Sequence, residues 1–164
     1  RSIVKEHIKA GRTAGEIYDL VNNEINKQGF TIMETFNQPT DDPAIVDVII
    51  GCHSVGNLGH GIGPSIAWFN PERMKYMIHP SNLFSIELFA YTAIPEWGGK
   101  KLRIPLEDDA VVTERGVEWL YPVAQKVLLI RSAAGMSAHI VIVEDEAALA
   151  ANYRDALQQR GFRV

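Results

Sequence analysis

Apolar positions follow a helical rhythm at the start of this chain and a strand rhythm after it. Ile3, Val4, His7 and Ile8 form a short stripe at helical spacing, which Gly11 ends. Thr13 followed by Glu16 is a capping box, because each side chain can satisfy an orphan amide of a helix start. The predicted helix runs on through Ile17, Leu20, Val21 and Ile25, which share one face, and Gly29 stops it. Strands are then predicted at residues 30–36 and 45–50, the second interrupted by Asp47, with a turn-rich connection at 37–43 between them. Residues 66–69 are a short apolar piece. Asn70-Pro71-Glu72 opens a helical turn carrying Met74 and Met77, and residues 79–82 form a turn.

Residues 83–91 read as a strong strand, from which 94–99 return the chain. Strands at 101–106 and 110–113 flank Glu107-Asp108-Asp109, a glycine turn at 114–116 makes a hairpin with 117–120, and 127–130 adds a last strand. So many strands after one helix predict an α+β domain with a curved, largely antiparallel sheet. Alternation within 84–89 puts Glu87 on the face of Ser85 and Phe89, away from Ile86 and Leu88.

The pattern changes at Ser132-Ala133-Ala134-Gly135. Residues 139–143 form an apolar strand, Glu144-Asp145-Glu146 follow, a helix carries Ala148, Leu149, Tyr153, Ala156 and Leu157, and 162–164 begin another strand. The expected organisation is therefore a domain over 1–131, a linker over 132–138 and a truncated β-α-β segment over 139–164. Arg1 stands inside an amphipathic pattern, so the chain is expected to have lost its beginning.

Composition narrows the classes of function. The 164 residues are 46% apolar and 22% charged, ordinary values for a soluble domain with one sizeable core. A net charge of -4, without a basic run, argues against nucleic acid. Apolar runs are too short for a bilayer and no signal peptide opens the chain, so no membrane partner is expected. Cys52 is the only cysteine, which excludes a disulfide framework and fits a reducing, cytoplasmic setting.

Candidate chemistry centres on residues 51–63, which hold five glycines and two histidines directly after an apolar run. His60, bounded by Gly59 and Gly61, is the foremost metal-ligand candidate. Glu87 sits mid-strand and needs a partner if it faces inward, either a metal or an arginine such as Arg103. Glu107 is a further carboxylate candidate or a solvated hairpin residue. One imidazole and two carboxylates from separate strands suit a divalent cation. His53 is a second imidazole that would orient substrate or shuttle a proton, or else bond a loop carbonyl. Cys52 reads as a small buried hydrophobe. Trp68, Phe69, Tyr91 and Trp97 are pocket or core aromatics, and Asp108 and Asp109 an acidic patch or a solvated turn. Glu144 and Asp145 would hold Mg²⁺ at a strand end or cap the helix that follows.

Several of these pieces, in order, resemble the carboxyl-terminal part of metallopeptidase family M24, the pita-bread fold of methionine aminopeptidases, prolidases, aminopeptidase P and creatinase. They are Ala10-Gly11-Arg12-Thr13 before the helix ending at Gly29-Phe30, the motif Gly59-His60-Gly61-Ile62-Gly63, the strand Phe84-Ser85-Ile86-Glu87, and residues 103–120 with Glu107-Asp108-Asp109 and Val112-Thr113-Glu114-Arg115-Gly116. The resemblance implies a partial pita-bread fold with His60, Glu87 and Glu107 as metal ligands, Glu107 bridging two ions. His53 and Glu87 are the catalytic candidates, and the resemblance further implies the use of Mn²⁺, Co²⁺ or Zn²⁺ to hydrolyse a peptide or small amide. The family's two metal aspartates precede the helix with which this chain begins, whereas Asp41, Asp42 and Asp47 follow it. Ala67 stands where the peptidases usually carry a second histidine, Leu88 where they commonly have proline, and the 103–107 link looks longer than usual. A single weakly held ion and an inactive chain are thus expected. A creatinase-like hydrolase of a small substrate and a non-catalytic binding or signalling module are the alternatives. Sheet edges left open would be filled by a second copy or a complementing chain. Residues 136–164 resemble the start of a response-regulator receiver domain, through Ile140-Val141-Ile142-Val143-Glu144-Asp145-Glu146 and Gly161-Phe162-Arg163-Val164.

Overall fold

The computed structural model describes residues 1–56 and 59–124, and beyond these only 130–131, 138–139, 151, 154–155 and 158. It divides into two compact units, Arg1–Val123 and Ala124–Val164. The first begins with α1 (Ser2–His7) and α2 (Ala14–Lys27). The expected capping box is formed: the Glu16 amide donates to Thr13 Oγ1 at 3.2 Å and the Thr13 amide to Glu16 Oε2 at 2.8 Å. Ile17, Val21 and Ile25 make the buried face of α2.

A seven-stranded sheet follows. It comprises β1 (Thr31–Ile32), β2 (Asp47–Ile50), β3 (Cys52–Gly56), β4 (Gly59–Ile66), β5 (Leu83–Ala93), β6 (Lys101–Thr113) and β7 (Gly116–Trp119). α3 (Pro71–Met74) lies between β4 and β5, where a helical turn is expected. Every pairing is antiparallel except β1 with β2, so the sheet is mixed. β5 is its centre. One side of β5 pairs with β2 and β3 in a single unbroken register, Asp47 opposite Tyr91 through Ser54 opposite Phe84. Gly51 joins the two, its amide donating to Glu87 O at 3.0 Å. The other side pairs with β6 for eleven successive residues, Leu83 opposite Val111 to Ala93 opposite Lys101.

Two strand expectations need correction. Residues 30–36 give only the two-residue β1, because Thr31 and Ile32 alone register with β2. Beyond Met33 the chain bends away, with Glu34 accepting from Tyr18 Oη at 3.1 Å and Thr35 Oγ1 accepting from the Asn37 amide at 3.3 Å. The expected break at residues 107–109 is absent, since continuous pairing with β5 carries β6 straight through them.

The register sorts side chains onto two faces. Val48, Ile50, Cys52, Phe84, Ile86, Leu88, Ala110 and Val112 form the apolar face and build the core with Val4, Ile8, Ile17, Val21 and Ile25 of the helices. The opposite face carries Asp47, Gly51, His53, Ser85, Glu87 and Glu107. Asp47 is fully buried there. Its carboxylate pairs with Lys101 Nζ and accepts from Thr40 Oγ1 at 3.1 Å, which explains how a charged residue sits inside an apolar run.

In the second unit, β8 (Ile130–Arg131) pairs antiparallel with β9 (Ala138–His139). Ala151, Arg154, Asp155 and Gln158 are helical and exposed. Residues 140–150, with Glu144 and Asp145, lie outside the described residues, as do 162–164.

Candidate metal centre

Three strands bring one imidazole and two carboxylates together. Glu87 on β5 stands directly opposite Glu107 on β6, and His53 on β3 lies opposite Ser85, one pleat along from Glu87 on the same face. One ligand atom from each of His53, Glu87 and Glu107 lies within 4.8 Å of the others. His53 is buried, Glu87 half-buried and Glu107 exposed, so the cluster is open on one side.

Hydrogen bonds orient the donors. His53 Nδ1 lies 3.1 Å from the Ser54 carbonyl, which can only accept, so Nδ1 carries the proton. The neutral ring therefore presents the lone pair of Nε2 toward Glu87 Oε2, 3.6 Å away. That separation exceeds a hydrogen bond but suits an ion pair when the ring is protonated. Metal-binding histidines are commonly held by such a second-nitrogen bond to a carbonyl. The buried Ser85 hydroxyl donates to Glu107 Oε1 at 2.6 Å and fixes that carboxylate. Glu87 raises the His53 pKa above its ordinary value of 6.5, outweighing the opposing effect of burial.

Gly51 lies against the Glu87 carboxylate, with Phe69 beside it. A Cβ there would lie 3.4 Å from Glu87 Oε2 and 3.7 Å from Phe69 Cζ. Two carboxylates facing each other across a strand pair repel, and the His53 ring adds another lone pair. The three donors are thus arranged to collect positive charge. A proton on Nε2 supplies it in part, and a divalent cation, for which nitrogen and carboxylate oxygen are apt ligands, suits the set as a whole.

The other candidates have definite places. His60 stands in β4 opposite Val55, and the β3–β4 register shifts between His53 and Val55; the His60 side chain lies outside the described residues. Arg103, a possible partner of Glu87 by sequence, lies over the Phe89 ring with its guanidinium carbon 3.9 Å from the centroid. Asp108 points to the other face, where it is buried and paired with Arg1. Cys52 is fully buried, and burial pushes its thiol up to about 12, as expected of a thiol that packs rather than reacts. The aspartates at 47 and 108 are committed to ion pairs, and the cluster among the described residues contains no aspartate. Sequence reading missed the role of Ser85, although alternation had placed it beside Glu87. It missed that Glu87 and Phe69 close over Gly51, because nothing local says what faces a glycine.

Residues 2–114 match the model of metallopeptidase family M24. An X-Pro aminopeptidase from Thermotoga maritima MSB8 superposes with a TM-score of 0.50 at 20% identity, over 76% of this chain and 29% of its own, which shows a common fold. A prolidase from Pyrococcus horikoshii OT3 gives a TM-score of 0.49 at 20% identity, over 77% and 30% of the two chains. A Xaa-Pro dipeptidase from Bacillus anthracis gives 0.45 at 26%, over 75% and 28%. This chain thus spans less than a third of the length of each. The comparison with curated proteins returns no match. The family match ends at residue 114 and lends no support to the receiver resemblance of 136–164. No helix among the described residues is long and apolar enough to cross a membrane.

Proposed function

We propose, from the premise that this chain belongs to metallopeptidase family M24, that it carries the His53, Glu87 and Glu107 portion of a metal-dependent hydrolase site acting on peptides or small amides in the whole protein. The observation that carries this reading is the convergence of the three ligand atoms within 4.8 Å. A divalent ion, Mn²⁺, Co²⁺ or Zn²⁺, would be held by His53 Nε2 and one oxygen from each glutamate. His60, by its Gly59-His60-Gly61 motif, is the fourth ligand of this proposal. Bound there, the ion would polarise a carbonyl and lower the pKa of a coordinated water.

The protein groups have separate tasks. The Ser54 carbonyl holds the His53 tautomer, the Ser85 hydroxyl aims Glu107, and without metal Glu87 favours a proton on His53 Nε2, which a bound ion would displace. With no aspartate in the cluster, the described donors suit one ion rather than two, so the chain by itself binds a single cation and has little or no hydrolytic activity. The 136–164 tail is proposed as receiver-like on its sequence alone.

Calorimetric titration with Zn²⁺ and Mn²⁺ tests the proposal. Stoichiometric binding that is lost in Glu87→Ala and Glu107→Ala, and weakened in His53→Ala and His60→Ala, supports it. No binding, or binding that none of these changes affects, overturns it.

A further inference from the structure

Two polar side chains of the α3 turn serve the neighbouring strand rather than the helix itself. Asn70 occupies the N-cap position, where an asparagine side chain ordinarily accepts from the first helical amides, yet it makes no such bond. Its Nδ2 donates instead to Ser65 Oγ at 3.1 Å, and Ser65 Oγ donates to the Cys52 carbonyl at 3.3 Å. Arg73 is likewise turned outward. Glu72 beside it pairs with Lys75, while Arg73 Nε donates to the Gly63 carbonyl at 2.8 Å and its buried Nη2 meets no acceptor. An orphaned buried donor is unfavourable, so the guanidinium is not explained by its own pairing.

Both side chains act on β4 where its ladder with β3 is interrupted. The β3–β4 register shifts between His53 and Val55, so strand pairing alone does not fix Ser54 against β4. Gly63 closes that gap. A Cβ on it would stand 2.5 Å from Ser54 Oγ and 3.0 Å from Ser54 Cβ, so the β4 backbone presses directly onto Ser54. Ser65, two residues along, is fully buried opposite His53. Arg73 and Asn70 thus pin β4 at the residue that leans on Ser54 and at the one that faces His53. The Ser54 carbonyl, in turn, is what holds the proton on His53 Nδ1.

We propose that Arg73 and Asn70 are positioning residues for the metal centre. By seating β4 on Ser54 they keep its carbonyl against His53 Nδ1, and so present the Nε2 lone pair toward Glu87 and Glu107. Neither belongs to the donor cluster, so each acts through the backbone it holds. The proposal rests on the metal-centre reading for its effect on metal, whereas the tautomer is a property of the metal-free chain.

Nitrogen-15 NMR of the His53 ring in the full metal-free chain at pH 8 reads the tautomer, and calorimetry reads Zn²⁺ affinity. Arg73→Met keeps the apolar stem and removes the donor. It should turn the Nδ1–H tautomer into a mixture of the two and weaken Zn²⁺ binding about tenfold, the lower end of what losing the partner of a metal-binding histidine costs. Arg73→Lys, which keeps a donor on a long stem, should restore both. Asn70→Ala should act in the same direction without uncapping α3, since that side chain caps nothing. Val117→Ala, a core change on β7, is the control: it should lower stability to urea and leave tautomer and affinity unchanged. An unchanged tautomer in both Arg73→Met and Asn70→Ala, a loss that Arg73→Lys does not restore, or an equal loss in Val117→Ala overturns the proposal and leaves the metal centre standing. A parent chain that binds no Zn²⁺ overturns the metal centre, while the tautomer still decides the positioning.

Discussion

Glu107→Gln should have opposite effects on the metal-free and metal-loaded chain. The amide keeps an oxygen that accepts from Ser85 Oγ, so the 2.6 Å bond survives. What disappears is the charge facing Glu87. For two unit charges at the 4.8 Å limit of the cluster, Coulomb's law gives about 0.9 kcal/mol in water and about 3.5 kcal/mol at an effective dielectric of 20. Glu107 is exposed, so the lower figure applies, and salt reduces it further. Without metal the variant should therefore be more stable than the parent by about 0.5–1 kcal/mol at pH 8. The gain should shrink toward pH 6, where protonated His53 already offsets part of the Glu87 charge. With Zn²⁺ at a hundredfold excess over its dissociation constant, the parent should gain about 2.7 kcal/mol, and the variant much less. Urea denaturation at pH 8, with EDTA and with Zn²⁺, measures all four states. A variant that is less stable than the parent in EDTA, or that keeps the full zinc-dependent gain, would refute the reasoning.

Three other outcomes follow from the same structure. Lys101→Met strands the buried Asp47 carboxylate and should cost about 3–5 kcal/mol in urea denaturation, much of it restored when Asp47→Leu is added; a loss below about 1 kcal/mol would contradict the buried pairing. His53 has its pKa raised by Glu87, so its contribution to stability is fully present below the ordinary value of 6.5 and is lost as pH rises through the folded value. Zn²⁺ competes with that proton, and its affinity should climb over the same window; NMR titration of the ring should show the pKa falling in Glu87→Gln. Cys52, at about 12 and buried, should resist iodoacetamide at pH 8 in the native chain and react once urea is added; rapid native alkylation would mean that the strand opens.

Local pattern revealed much of this molecule. The Thr13–Glu16 box, the Ile17–Val21–Ile25 face and the hairpin at Gly116 are decided by residues a few positions apart and form as read, whereas Leu20, expected on that same face, is exposed at its edge. The face shared by Ser85 and Glu87 was equally legible, because side chains alternate on any strand. The strand expected over 30–36 shows the limit, since β-forming residues there find a partner for only two positions.

By itself, then, the sequence determined the helices and the long strands, though not β3 and β4, together with the apolar stripes, the ordered motifs of family M24 and the need of Glu87 for a positive partner. Tertiary structure alone decided which partner it meets. Residues 53, 87 and 107 come from three strands, and only their mutual register puts His53 Nε2 and the Glu107 carboxylate beside it. The same register turned Arg103 toward Phe89 and sent Asp108 to the opposite face. Register depends on how the whole sheet packs on the helices, and a shift of one residue would exchange the two faces. Periodicity within one strand carries no information about that alignment, so the chemistry of this site had to be found in space.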